Sequence, residues 1–187
     1  MTNIEYLQDF IGTTITHLEH IRANGVKKEL SFTISCKDLD GLNHSNFRQS
    51  EKFKPIFDQL KDAKGPTLYW FEIISDTNTE EVIKALTKYK KSENSKATPA
   101  LKTTINYHSK TLYVGKVKEA FEKRLIQHLG FFNVNATQGL QLFHWTKDLS
   151  LDLKINILVF HNNMADMMPV IEYAFAQRLQ PLAGKHK

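Results

Sequence analysis

A chain of 187 residues with 41% hydrophobic and 11% aromatic residues can bury a core, which excludes general disorder. Its formal charge of +5 and pI of about 9.2 suit a polyanionic partner, because lysine and arginine neutralise phosphates and release counterions. The single cysteine, Cys36, excludes an internal disulfide and a cysteine-based zinc site. No run comes near the ~20 apolar residues of a membrane span. Polar and acidic residues among the first nine positions lack a signal-peptide pattern, so the chain reads as soluble and cytoplasmic.

Ile4, Leu7, Ile11, Ile15, Leu18 and Ile21 recur at helical spacing and predict an amphipathic helix over 4–23. Thr2 with Glu5 has the pattern of a capping box, and Gly25 that of a stop. Leu30, Phe32 and Ile34 alternate with Ser31, Thr33 and Ser35, so 30–36 reads as a strand. Residues 37–50 read as polar loop and 51–61 as a short helix bearing Phe53, Ile56, Phe57 and Leu60. Residues 1–64 form an N-terminal extension on this reading, and 65–187 the main domain.

Gly65-Pro66 opens a strand at 68–74, and Val82, Ile83 and Leu86 mark a helix from Thr79 to Tyr89. Residues 90–104 read as an exposed, flexible excursion inside an insertion at 75–110. A strand follows at 105–114, then a helix over 117–129 ended by Gly130. Strands are expected at 140–145 and 154–160. A last helix spans about 166–179, with Asp166 as its cap and Pro169 in its first turn, where proline is tolerated. The sum is α+β, a small, mostly antiparallel sheet flanked by helices.

The polar residues that break these patterns are few. Arg124 and His128 lie four apart on one helix face, at the edge of an apolar stripe of Val117, Ala120, Phe121 and Leu125. An arginine there can clamp a phosphate with its planar fork, and a histidine can relay a proton. The plainer alternative is a surface arginine and a locally satisfied histidine. Glu172 shares a face with Met168, Phe175 and Leu179, which is costly for a carboxylate unless it is paired or metal-bound. It can hold one Mg²⁺ with water completing the shell, or form a salt bridge to Arg124 or Arg178. Tyr69 and Tyr113 lie in strands, where aromatics usually pack, but a tyrosine hydroxyl can also orient or deprotonate a water. Lys116, next to Gly115, adds charge at the same place. His144, Trp145 and His161 read as structural or DNA-proximal.

Thr67-Leu68-Tyr69 after Pro66, Tyr113-Val114-Gly115 in the next motif strand, Arg124 and His128 on the following helix, and Glu172 followed by Pro181 occur in an order that resembles the GIY-YIG nuclease family. The resemblance covers roughly 65–187 and departs from the pattern twice: in the insertion at 75–110, and in Gly184, where an asparagine is often found. It implies a GIY-YIG-like core and a metal-dependent endonuclease acting on DNA. Tyr69 would activate or orient water with His128, Arg124 and Lys116 would stabilise phosphorane charge, Tyr113 would support phosphate or water, and Glu172 would hold one Mg²⁺ or Mn²⁺. Between residues 82 and 110 there are seven lysines and one acid, Glu93, so Lys88, Lys90, Lys91 and Lys96 are expected to track the phosphate backbone. Two rivals stand beside this reading. One is a catalytically impaired nucleic-acid-binding module of the same fold. The other is an unrelated α+β interaction domain whose helix 4–23 binds a partner or a second copy as a homodimer.

Overall fold

The computed structural model describes residues 2–131 and 138–186. The chain is α+β, as its pattern predicts, and its strands form one four-stranded sheet in the order β1-β4-β2-β3, antiparallel throughout. The strands are β1 (Lys28–Ser35), β2 (Thr67–Ile73), β3 (Thr111–Val117) and β4 (Asp152–Val159). The helices are α1 (Asn3–Asn24), α2 (Lys54–Leu60), α3 (Thr79–Lys90), α4 (Phe121–Leu129), α5 (Leu142–Trp145) and α6 (Met168–Leu179).

Period-two alternation divides the core. Phe32, Ile34, Tyr69, Phe71, Ile155 and Ile157 point to one face, where Phe57 and Leu60 of α2, Leu86 of α3 and Phe121, Leu125 and Leu129 of α4 cover them. Leu68, Val114, Trp70 and Leu158 point to the other, against Met168, Ile171, Phe175 and Ala176 of α6. Thr2 and Glu5 form the expected capping box on α1, and Gly25 ends it at φ +76°.

Several expectations fail for physical reasons. The expected division at residue 64 is not a structural boundary: β1 pairs with β4, and α2 packs into the same core as Tyr69. Residues 37–50 are no polar loop, since short 3₁₀ turns at Cys36–Leu39 and Phe47–Gln49 bury Cys36, Leu39 and Phe47. Burial pushes the Cys36 thiol up to about 12, so it stays protonated. Residues 140–145 are not a strand. Both edges of β4 are occupied, Gln141 turns left-handed at φ +57°, and Leu142–Trp145 make one helical turn closed by Trp145 Nε1 donating to the Leu140 carbonyl at 2.7 Å. The strand expected from 105 begins at Thr111, because Asn106 folds 106–109 into a turn: its side chain accepts from the His108 N–H at 3.0 Å. Strand character then continues to Val117, and α4 starts only at Phe121. The last helix starts at Met168, after a 3₁₀ turn over Asn162–Met167, so Asp166 is not its cap.

The excursion at 90–104 is folded. The Lys90 ammonium turns back to donate to the Thr98 and Pro99 carbonyls at 3.4 and 3.0 Å and to the Thr98 hydroxyl at 3.1 Å. Leu101 bridges Ala183, and the Gly184 N–H donates to the Ala100 carbonyl at 2.8 Å. The other side of this tail lines β3, with Leu182 and Ala183 N–H groups donating to the carbonyls of Thr111 and Leu112. Residues 182–184 thus cover the outer edge of β3, which would otherwise present unpaired backbone groups.

Lys90 therefore differs from its neighbours. Lys90→Gln should cost about 1 kcal/mol in urea unfolding, through loss of charge-assisted hydrogen bonds. Lys88→Gln and Lys91→Gln, both at exposed positions, should leave stability unchanged.

Candidate active site

Tyr69 stands in the middle of β2, fully buried, opposite Gly115 of β3. A Cβ on residue 115 would lie 2.6 Å from the Tyr69 hydroxyl oxygen and 2.6 Å from the Tyr113 ring, so only glycine lets both rings approach this point. The residue pairing explains the shared face. Tyr69 and Phe71 of β2 lie opposite Gly115 and Tyr113 of β3. The Tyr69 ring lies 6.2 Å from Tyr113, 5.4 Å from His128 and 4.6 Å from Phe121.

The helical spacing of Arg124 and His128 delivers both to one atom. Arg124 Nε donates to the Tyr69 hydroxyl at 3.2 Å, and His128 Nε2 lies 3.0 Å from the same oxygen. The tautomer follows from the other ring nitrogen. His128 Nδ1 faces the Leu140 backbone N–H at 3.1 Å, which can only donate. Nδ1 is therefore the acceptor, and Nε2–H of the neutral ring donates to Tyr69. The Tyr69 oxygen receives two hydrogen bonds, and its own proton is left to point elsewhere.

Burial, then the Tyr113 charge, hold the Tyr69 phenol well above its ordinary range, against the opposing pull of Arg124. Burial and then Arg124 hold His128 far below its ordinary value. Neither group is a free base near neutral pH. Arg124 spends its outer nitrogens on the Gln127 side chain at 2.6 Å and the Gln138 carbonyl at 2.7 Å.

Lys116 and Glu172 form a pair at 2.8 Å, both partly exposed. Lys116 follows Gly115, so it leaves the opposite face of β3, toward α6. The salt-bridge alternative for Glu172 holds, with Lys116 as the partner in place of Arg124 or Arg178. Because β3 is at the sheet edge, the pair remains near the tyrosine cluster: Glu172 is among the charges acting on Tyr69. The expected single open concavity is thus corrected in one respect. Tyr69 and His128 form a closed floor, while Tyr113, Arg124, Lys116 and Glu172 are half-buried around it.

His186 belongs to this neighbourhood, although the sequence reading does not name it. Its Nδ1 accepts from the Lys102 ammonium at 3.1 Å, so Nε2–H donates to the Val114 carbonyl at 3.0 Å. Its ring lies 6.3 Å from Tyr113. Gly184 makes the approach possible. It sits at φ +115°, and a Cβ there would meet the His186 ring at 2.5 Å. The departure from asparagine at this position is therefore a backbone requirement of this tail.

The basic segment divides. Lys88 and Lys91 are exposed, whereas Lys90 is engaged as above and Lys96 is half-buried, its backbone N–H bonded to the Tyr89 hydroxyl at 2.9 Å. A mobile four-lysine arm is not what the fold presents. His144 stacks on Tyr89 and lies 3.2 Å from the Gly130 carbonyl, and His161 meets His20 edge-on, so these histidines have structural contacts.

Among the described residues, no group of three or more His, Cys, Asp or Glu side chains is placed to share a metal, and no helix is long and apolar enough to cross a membrane. No family model, no curated protein and no solved structure matches the chain.

His128 makes stability pH-dependent. Its folded value is depressed, so the unfolded chain binds a proton that the folded chain refuses. Stability should be full above about pH 6.5 and fall below it, by about 1.4 kcal/mol per pH unit at most from this residue. His144 and His186 are also depressed by burial and act in the same direction. Urea unfolding from pH 7.5 downward should show the slope, and His128→Gln should flatten it. An unchanged slope in that variant would place the titration elsewhere.

Proposed function

We propose that this chain is a metal-dependent endonuclease that hydrolyses phosphodiester bonds in DNA. The observation that carries the reading is the Tyr69 hydroxyl receiving Arg124 and His128 together beneath a glycine opening, with the Lys116–Glu172 pair at the same strand edge. A packing role alone does not call for an arginine, a histidine and a tyrosine converging on one buried oxygen. The resemblance of the ordered motifs to GIY-YIG nucleases gives the chemistry.

The residues divide the work as follows. Tyr69, held neutral, orients the attacking water with the proton its two donors leave free. His128 fixes Tyr69 and does not itself take the proton. Arg124 sets positive charge beside the same hydroxyl and stabilises the phosphorane. Tyr113 lines the approach to phosphate. Glu172 is the carboxylate that would hold one Mg²⁺ or Mn²⁺. A hard divalent ion accepts a single protein carboxylate when water and phosphate oxygens fill the rest of its shell, so the oxygen donor present fits such an ion and not a closed zinc site. Once bound, the ion supplies Lewis-acid stabilisation of phosphate charge. Lys116 is then released from Glu172 to face phosphate.

The second reading is a DNA-binding module without turnover, favoured by the 2.8 Å Lys116–Glu172 pair, which already neutralises the carboxylate. Nicking of supercoiled plasmid with Mg²⁺ or Mn²⁺, against a chelator control, separates the two. Cleavage that requires the ion supports the nuclease. Retained DNA without cleavage supports the module. Neither binding nor cleavage removes both.

A further inference from the structure

The first helix is not absorbed by the rest of the fold. No residue of α1 is buried, and Ile4, Leu7, Phe10, Ile11, Ile15 and Leu18 are exposed, with Ile4 at 69%, Leu7 at 54% and Ile15 at 51%. The body is reached at its C-terminal end, where Ile21 packs on the α6 side of the sheet. A contiguous apolar stripe of this kind in water marks an interface.

Its spacing says what kind. Ile4, Ile11 and Leu18 fall seven apart, as do Leu7, Thr14 and Ile21 three residues further on. A repeat of 3.5 residues is matched by another helix. Charge says which one. Glu5 and Asp9 lie in the N-terminal half, and His17, His20 and Arg22 in the C-terminal half, with Glu19 the exception. Laid antiparallel on a second copy, Ile4 faces Ile21, Leu7 faces Leu18 and Ile11 faces Thr14. The acidic half of each helix then lies along the basic half of the other, and the two macrodipoles oppose. Parallel pairing would set Glu5 and Asp9 against themselves. A lipid surface is disfavoured by the same charges, because helices that lie on anionic membranes carry lysine and arginine on the polar face, and α1 holds only Arg22.

We propose that α1 is a dimerisation element that pairs antiparallel with α1 of a second copy in a two-fold coiled coil. The inference does not depend on the nuclease reading. Sedimentation equilibrium of the full chain at micromolar concentration should give twice the 21.6 kDa chain mass. Leu7→Glu with Ile11→Glu should halve that mass while near-ultraviolet circular dichroism stays unchanged, since neither residue is in the core. A mixture of Leu7→Cys and Leu18→Cys chains should cross-link on oxidation, and Leu7→Cys alone should not; the native Cys36 is buried and does not interfere. A monomeric native chain overturns the proposal. Self-cross-linking of Leu7→Cys overturns the antiparallel arrangement. A monomer that binds phosphatidylglycerol vesicles through α1 assigns the helix to lipid and also overturns it.

Discussion

Glu172→Gln is expected to abolish metal-dependent nicking while DNA binding survives. The substitution keeps the side-chain volume and removes the charge. Glu172 pairs with Lys116 at the edge of β3, and its carboxylate is the proposed protein ligand for the ion. An amide oxygen is a much weaker ligand for a hard divalent cation, so activity should fall by about a thousandfold or more, the scale of removing a transition-state stabiliser. Binding should persist because Lys116, freed from its partner, keeps its positive charge. The measurements are plasmid nicking and a filter-binding titration on one preparation. Cleavage at the native rate would remove Glu172 from the mechanism. Loss of binding together with cleavage would assign it a structural role.

The second large effect lies on the tyrosine side of the same strand. Gly115→Ala should destabilise the fold by about 2–3 kcal/mol and inactivate the site, because overpacking a fixed core contact is costly. The added methyl would press on the Tyr69 hydroxyl and on the Tyr113 ring, each at 2.6 Å. Tyr69 cannot withdraw, since it is fully buried and held by Arg124 and His128. A double-mutant cycle checks the cause. In a Tyr69→Phe background the oxygen is gone, and Gly115→Ala should cost less than in the native chain. Equal costs in both backgrounds would trace the strain to another contact.

Regular periodicity made the centre of this molecule readable. Tyr69 and Tyr113 occupy strands whose alternation is plain, and the four-residue interval between Arg124 and His128 already puts them on one face. Their meeting at a single oxygen was not readable, because it depends on the residue pairing of β2 with β3. Contacts made by irregular segments were misread or missed. The folded path of 90–104 is held by backbone bonds to 182–184 and by the Lys90 ammonium, neither of which leaves a compositional trace. His186 follows Pro181 in a basic tail with no repeat to mark it, and only the edge of β3 gives it a place. Leu140–Trp145 looked like a strand because a short apolar run has no period of its own. The sheet had no free side of β4 to receive it.

Strand β4 carries a kinetic consequence. Its residues, 152–159, are hydrogen-bonded to Lys28–Ser35 on one side and to Thr67–Ile73 on the other. Until that late segment arrives, the first strand and the β2–β3 pair have no bonds to each other and expose bare backbone. Such distant pairing must meet its loop-closure entropy before any contact rewards it, which slows folding relative to a chain of local contacts. Fragments ending before residue 152 should therefore aggregate during synthesis or refolding, and the full-length chain should refold in a phase limited by docking of this last central strand.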